Sequence, residues 1–272
     1  MIRRILLPVY GTQDDRTAFD HAVRLAERFG AELLVAPIVD KGEFMDAVGG
    51  PSEGATCYLD RGALDAFTQE VRREARALAE EAAARGRTSI VAPSPSAFPD
   101  DLIHLTRQCD LLVESEMHRR PLLARKLLEC SVLYTDAMCP ILLSHGQPFQ
   151  MELVMLVYTA SDAASRALNW LTELGEHTEL SLHALVMDSG QAVRERLQQE
   201  VLAKAEAHGV RAQVREAAPG AALSSVATVA GELMPGLIAL PMHTFRRPLR
   251  LWLAGIDQRA VDQLGSSVVL FP

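Results

Sequence analysis

One unit occurs twice in the chain and limits what it can fold into. Leu111 to His145 reads LLVESEMHRRPLLARKLLECSVLYTDAMCPILLSH, and Leu237 to Pro272 reads LIALPMHTFRRPLRLWLAGIDQRAVDQLGSSVVLFP. In each, an apolar run feeds a Met-His loop with Arg-Arg-Pro-Leu, an amphipathic stretch follows, and a short apolar run closes the unit. Runs too short for helices, bounded by Gly and Pro, fit strands buried on both faces; the stretches between them have helical periodicity.

The same alternation runs through the rest of the sequence. Ile5 to Val9 is an apolar strand, Tyr10-Gly11-Thr12 its exit turn, and Asp14 or Asp15 a cap for the next helix. Ala18, Ala22, Leu25, Ala26 and Phe29 recur at helical spacing before Gly30, and Leu33 to Val39 forms the second strand. Lys41 to Asp60 breaks the rhythm with Gly and Pro and reads as an irregular loop. A long charged helix from Arg61 to Arg85, a strand at Ser89 to Ala92, a loop with Pro93, Pro95 and Pro99, and a helix at Asp100 to Gln108 lead into the first repeated unit. After Gly146-Gln147-Pro148 the order recurs: strands at Leu153 to Val157, Leu180 to Met187, Val210 to Ala217 and Gly236 to Leu240, separated by helices. Val9-Tyr10-Gly11-Thr12 is echoed by Val157-Tyr158-Thr159-Ala160. The reading is an internal duplication, with domains at 1–147 and 148–272, each an α/β doubly wound parallel five-stranded sheet. The last strands, Pro140 to Ser144 and Ser267 to Phe271, are expected to pair antiparallel, covering two sheet edges.

The 272 residues suffice for two cores, and the net charge of −8 argues against a nucleic-acid or anionic-membrane partner. Cys57, Cys109, Cys130 and Cys139 form no Cys-x-x-Cys pair and read as reduced core residues. The apolar run after Arg3-Arg4 is too short for a signal peptide and no stretch is long enough to span a bilayer, so the expected location is cytoplasmic. No metal-ligand spacing, Walker loop, dinucleotide fingerprint or Gly-x-Ser-x-Gly elbow is present.

The strand Ile5-Leu-Leu-Pro-Val with its helix, the endings Met138-Cys139-Pro140-Ile141-Leu142-Leu143 and Ser266-Ser267-Val268-Val269-Leu270, and the duplication resemble the universal stress proteins, over nearly the whole chain. The resemblance implies a fold like that of the adenine-nucleotide α-hydrolases, with paired halves. It also implies ATP or AMP held by an Asp after the first strand and a Gly-x2-Gly-x9-Gly-Ser/Thr signature after the fourth. Glycines there let backbone approach phosphate, and a helix N-terminus supplies amide donors. This chain departs from that pattern. The Asp position holds Tyr10 and Tyr158; the glycine positions fall on Met117, Arg120 and Cys130, with only Ser131 fitting, and in the second half on Met242 and Phe245, with only Gly255 fitting.

The candidate binding residues lie at the carboxyl ends of the strands, where ligands enter open α/β sheets. They are Tyr10, Gly11, Thr12, Asp40, Met117, His118, Arg119, Arg120 and Ser131 in the first half, and Tyr158, Thr159, Met242, His243, Arg246, Arg247 and Gly255 in the second. Arg119, Arg120, Arg246 and Arg247 beside helix starts suit an anion, although Arg-Arg-Pro also serves simply to open a helix. His118 and His243 lack a neighbouring nucleophile pattern. Tyr10 and Tyr158 either stack on a ligand or fill the space it would occupy; size and polarity favour the second. No catalytic or metal residue is assigned, and no cofactor is expected, with ATP or AMP as the alternative. The function expected is stress adaptation through protein contacts or a small ligand, with a weak ATPase or a carrier of an apolar or anionic metabolite as alternatives. The partners expected are the paired domains themselves, a homodimer and an unidentified protein.

Overall fold

The computed structural model describes residues 2–39, 61–115, 133, 136–144, 146, 151–187, 190–217, 223–242 and 266–272. The chain divides into two compact units, Ile2–Cys139 and Pro140–Pro272.

In the first unit, β1 (Arg4–Val9) leads through α1 (Asp15–Phe29) to β2 (Glu32–Val39). Then follow α2 (Arg61–Ala84), β3 (Ser89–Val91), β4 (Ser96–Ala97), α3 (Asp100–Thr106) and β5 (Leu111–Ser115). The strands run parallel. Beta-1 lies between β2 and β5, with Leu6 opposite both Leu34 and Leu112, and β3 adds to the far side of β2. Ile5, Leu6, Leu7 and Val9 are all fully buried, as a parallel sheet covered on both faces requires. Alpha-1 earns its length from the spacing Ala18, Ala22, Leu25, Ala26, Phe29, all buried, and stops at Gly30, which adopts φ 64° and donates its N–H to Ala26.

Two local expectations are corrected. The Pro-rich stretch is not all loop: Ser96–Ala97 pairs in parallel with Ile38 and Val39. Neither Asp14 nor Asp15 caps α1 through its side chain: Asp14, at the cap position, makes no such bond, and Asp15 turns back into the preceding turn.

The second unit contains β6 (Ile141–Ser144), β7 (Leu153–Tyr158), α4 (Asp162–Gly175), β8 (Ser181–Val186), α5 (Gln191–Ala207), β9 (Arg211–Glu216), α6 (Leu223–Leu233), β10 (Leu237–Pro241) and β11 (Ser267–Phe271). Parallel pairing joins β9 to β8, β8 to β7, β7 to β10 and β10 to β11. Beta-6 then adds to β11 in the antiparallel sense, with Val268 opposite Leu143, Val269 opposite Leu142 and Leu270 opposite Ile141. The sequence places β6 at the end of the first repeat, yet its packing belongs to the second unit. Each of these facing side chains is at most 4% exposed, which closes the β11 edge with apolar surface. Alpha-4 abuts the turn before β9 so closely that a Cβ on Gly175 would lie 2.4 Å from Val210 Cγ2.

Candidate functional site

A tyrosine stands at the carboxyl end of an equivalent central strand in each unit: Tyr10 just after β1 and Tyr158 at the end of β7. In the first unit the apolar run carries Tyr10 into the interior, where it is 2% exposed. Its hydroxyl donates to Glu114 Oε1 at 2.7 Å, and its ring meets Phe98 edge-on with centroids 6.1 Å apart. Glu114 is also 2% exposed. A carboxylate that far from water requires strong donors, and a phenol supplies one.

The turn after Tyr10 is organised around a second buried carboxylate. Asp15 Oδ2 accepts from the backbone N–H of Tyr10 at 2.9 Å, Gly11 at 2.8 Å and Thr12 at 3.0 Å, while Thr12 Oγ1 donates to Oδ1 at 3.4 Å. Consecutive amides converging in this way form an anion-binding concavity, and here the anion is the chain's own side chain. Gly11 permits the turn through its φ of 80°, and a Cβ there would come 3.1 Å from Val71 Cγ2 on α2. Glu74, on the same helix, faces this loop. Burial pushes its carboxyl pKa up, and the charges of Asp15 and Glu70 add to the effect against a smaller opposing pull from Arg73. The acidic groups of Asp15 and Glu74 therefore lie close together at this turn, a setting unfavourable to an anionic ligand.

Among the described residues the second unit shows a different arrangement. Tyr158 is fully buried at the end of β7, but its hydroxyl has no hydrogen-bond partner among the described residues. Burial first, and then the neighbouring Glu200, raise its pKa. The next turn caps α4 through Ser161, whose Oγ accepts from Ala164 N–H at 3.2 Å and lies 3.1 Å from Thr159 Oγ1. Met242, just beyond β10, is 4% exposed.

Of the residues proposed from sequence, the structure thus brings Tyr10, Gly11 and Thr12 together around Asp15, and places Tyr158, Thr159 and Met242 at the strand ends of the second unit. Asp40, Met117, His118, Arg119, Arg120, Ser131, His243, Arg246, Arg247 and Gly255 lie outside the described residues. Sequence reasoning missed Glu114 and the inward role of Asp15. For Glu114 a signal existed, since an acid inside the run Leu111-Leu-Val-Glu-Ser is out of place in a strand buried on both faces. Among the described residues no group of His, Cys, Asp and Glu could hold a metal ion, and no helix is long and apolar enough to cross a membrane.

The model of the universal stress protein family matches residues 1–128. That match covers 128 of the 272 residues, so the first part of the chain is similar to the universal stress proteins. A universal stress protein from Archaeoglobus fulgidus superposes with a TM-score of 0.73 at 16% identity, covering 98% of this chain and 95% of its own. A functionally unknown protein from Pseudomonas aeruginosa follows at 0.52 and 13%, covering 99% and 92%. The cytoplasmic domain of a prokaryotic cation chloride cotransporter gives 0.53 and 13%, covering 99% and 95%. At such identities these likenesses establish the α/β fold of the chain and nothing finer. No curated protein matches the chain.

Proposed function

We propose that this chain is a tandem, non-enzymatic universal stress protein that acts through protein contacts or a small ligand other than a nucleotide. The observation that carries this reading is Asp15: its carboxylate takes the amides of Tyr10, Gly11 and Thr12, so that concavity is already occupied by an anion. Tyr10 stands where the family resemblance calls for an acid to hold the nucleoside, and its hydroxyl is bonded inward to Glu114. A nucleotide would have to displace buried, satisfied groups and approach the acidic groups of Asp15 and Glu74. That the same fold serves as the cytoplasmic domain of a cotransporter is consistent with a scaffold tied to no single activity.

Titration calorimetry with ATP, ADP and AMP, each with and without magnesium, tests the reading. The expected result is no heat of binding and no thermal shift. Micromolar binding of any of the three would replace it with the nucleotide-binding alternative. A carrier of an apolar or anionic metabolite remains the reading to test by mass spectrometry of small molecules retained through purification.

A further inference from the structure

The geometry points to β3 as the contact through which two copies of this chain associate, their β3 strands pairing antiparallel about a two-fold axis at Ile90.

The surface is the sheet edge of the first unit. Beta-3 bonds to β2 on one side, and among the described residues no strand pairs with its other side. Such an edge is a template for a further strand. The bonds already made fix which residues it offers. The Thr88 carbonyl accepts from Leu33 N–H, and Ala92 N–H donates to the Val35 carbonyl. Backbone groups of successive residues point to opposite sides of a strand. Thr88, Ile90 and Ala92 therefore turn theirs towards β2, and Ser89 and Val91 turn theirs to the open edge. Side chains alternate between the two faces of the sheet. Ser89 Oγ donates to the Ala79 carbonyl of α2 at 2.8 Å, which puts Ser89 on the face that this helix covers. Ile90 lies on the other face, beside Leu34 of β2, and is 47% exposed.

A two-fold axis normal to the sheet at Ile90 suits both patterns. Ser89 of each copy then stands opposite Val91 of the other as a hydrogen-bonded pair, which uses all the backbone groups these residues turn outward. Ile90 meets its own counterpart as the non-hydrogen-bonded pair, in which side chains approach closest. Thr88 falls opposite Ala92 and Arg87 opposite Pro93, so no like charges meet. The edge is complementary to itself, as a two-fold contact between identical chains requires.

The other edges are closed or guarded. Beta-11 is covered by β6. Beta-9, the open edge of the second unit, reads Arg-Ala-Gln-Val-Arg-Glu. A two-fold axis at Gln213 would set Arg211 opposite Arg215, and one at Arg215 would set that arginine opposite itself. Charge of this kind protects an edge from pairing, whereas β3 is Ser-Ile-Val and carries none. Four backbone bonds and one isoleucine pair make a small contact, so the dimer is reversible and fills as concentration rises.

Sedimentation velocity of the full chain, up to about 1 mM to reach weak association, tests the pairing. Wild type is expected to pass from monomer to dimer. Ile90→Lys and Ile90→Glu, at a half-exposed position that circular dichroism should show still folded, are each expected to stay monomeric, because like charges then face across the axis. An equal mixture of the two should recover the dimer, since opposite charges then meet. Leu202→Lys on α5, where the leucine is 46% exposed, should behave as wild type and so separate this contact from general apolar association. Wild type that stays monomeric throughout, a dimer of Ile90→Lys alone, a mixture that remains monomeric, or loss of the dimer in Leu202→Lys would each overturn the pairing. None of these outcomes depends on whether a nucleotide binds, so the proposed function stands or falls separately.

Discussion

Val269 lies directly opposite Leu142 in the antiparallel pair of β11 and β6, both residues buried. Replacing Val269 with Asp places a charge against the buried side chain of Leu142. The expected loss is at least about 3 kcal/mol, the range seen for unpaired buried charge. A denaturant midpoint equal to that of wild type would contradict the pairing.

Tyrosine-to-phenylalanine substitutions should separate the two units. Tyr10→Phe removes a donor from the buried carboxylate of Glu114 and should cost about 1.5–3 kcal/mol, as for hydrogen bonds to charged groups. Tyr158→Phe removes a hydroxyl without a hydrogen-bond partner among the described residues and should be neutral or slightly stabilising. Parallel urea titrations of the two variants measure the difference, and equal costs would refute the asymmetry.

Arg16 on α1 donates to Glu81 on α2 through both terminal nitrogens, at 2.7 and 2.9 Å. The hydrogen bond from Arg16 holds the Glu81 carboxyl below its ordinary pKa; burial opposes it, and Arg85 adds a lesser pull in the same direction as Arg16. A depressed carboxylate stabilises the fold above its unfolded pKa of about 4.3, and that contribution fades as pH falls through the lower folded value. Both side chains are partly solvated, so the effect should stay below about 1 kcal/mol. Glu81→Gln should accordingly lower the melting temperature slightly at pH 7 and leave it closer to wild type at pH 3.

Cys109 and Cys139 should be poor nucleophiles. Burial pushes the Cys109 thiol up to about 12, and burial raises that of Cys139 as well. Because thiolate is the reactive form, iodoacetamide at pH 7.5 should label these two slowly in the folded protein and rapidly in urea. Peptide mass spectrometry reads both, and fast native labelling at either position would contradict the burial.

Much of the fold was legible in the sequence because periodicity is a local property. Apolar runs such as Ile5-Leu-Leu-Pro-Val and Leu153-Val-Met-Leu-Val announce parallel strands buried on both faces, and the spacing of Ala18, Ala22, Leu25 and Phe29 announces a helix packed on them. The recurrence of Tyr10 and Tyr158 after equivalent strands was equally plain. What surrounds those tyrosines depended on tertiary structure. Glu114 is 104 residues from Tyr10 in the chain, and only the pairing of β1 with β5 brings its carboxylate to the phenol. Asp15 looks like a helix cap in sequence, but the φ of Gly11 folds the preceding turn back so that three amides meet its side chain. The sequence by itself determined the alternation of strands and helices and the duplication. Tertiary structure decided which buried charges find donors, because a hydrogen bond depends on distance and direction in space rather than on separation along the chain.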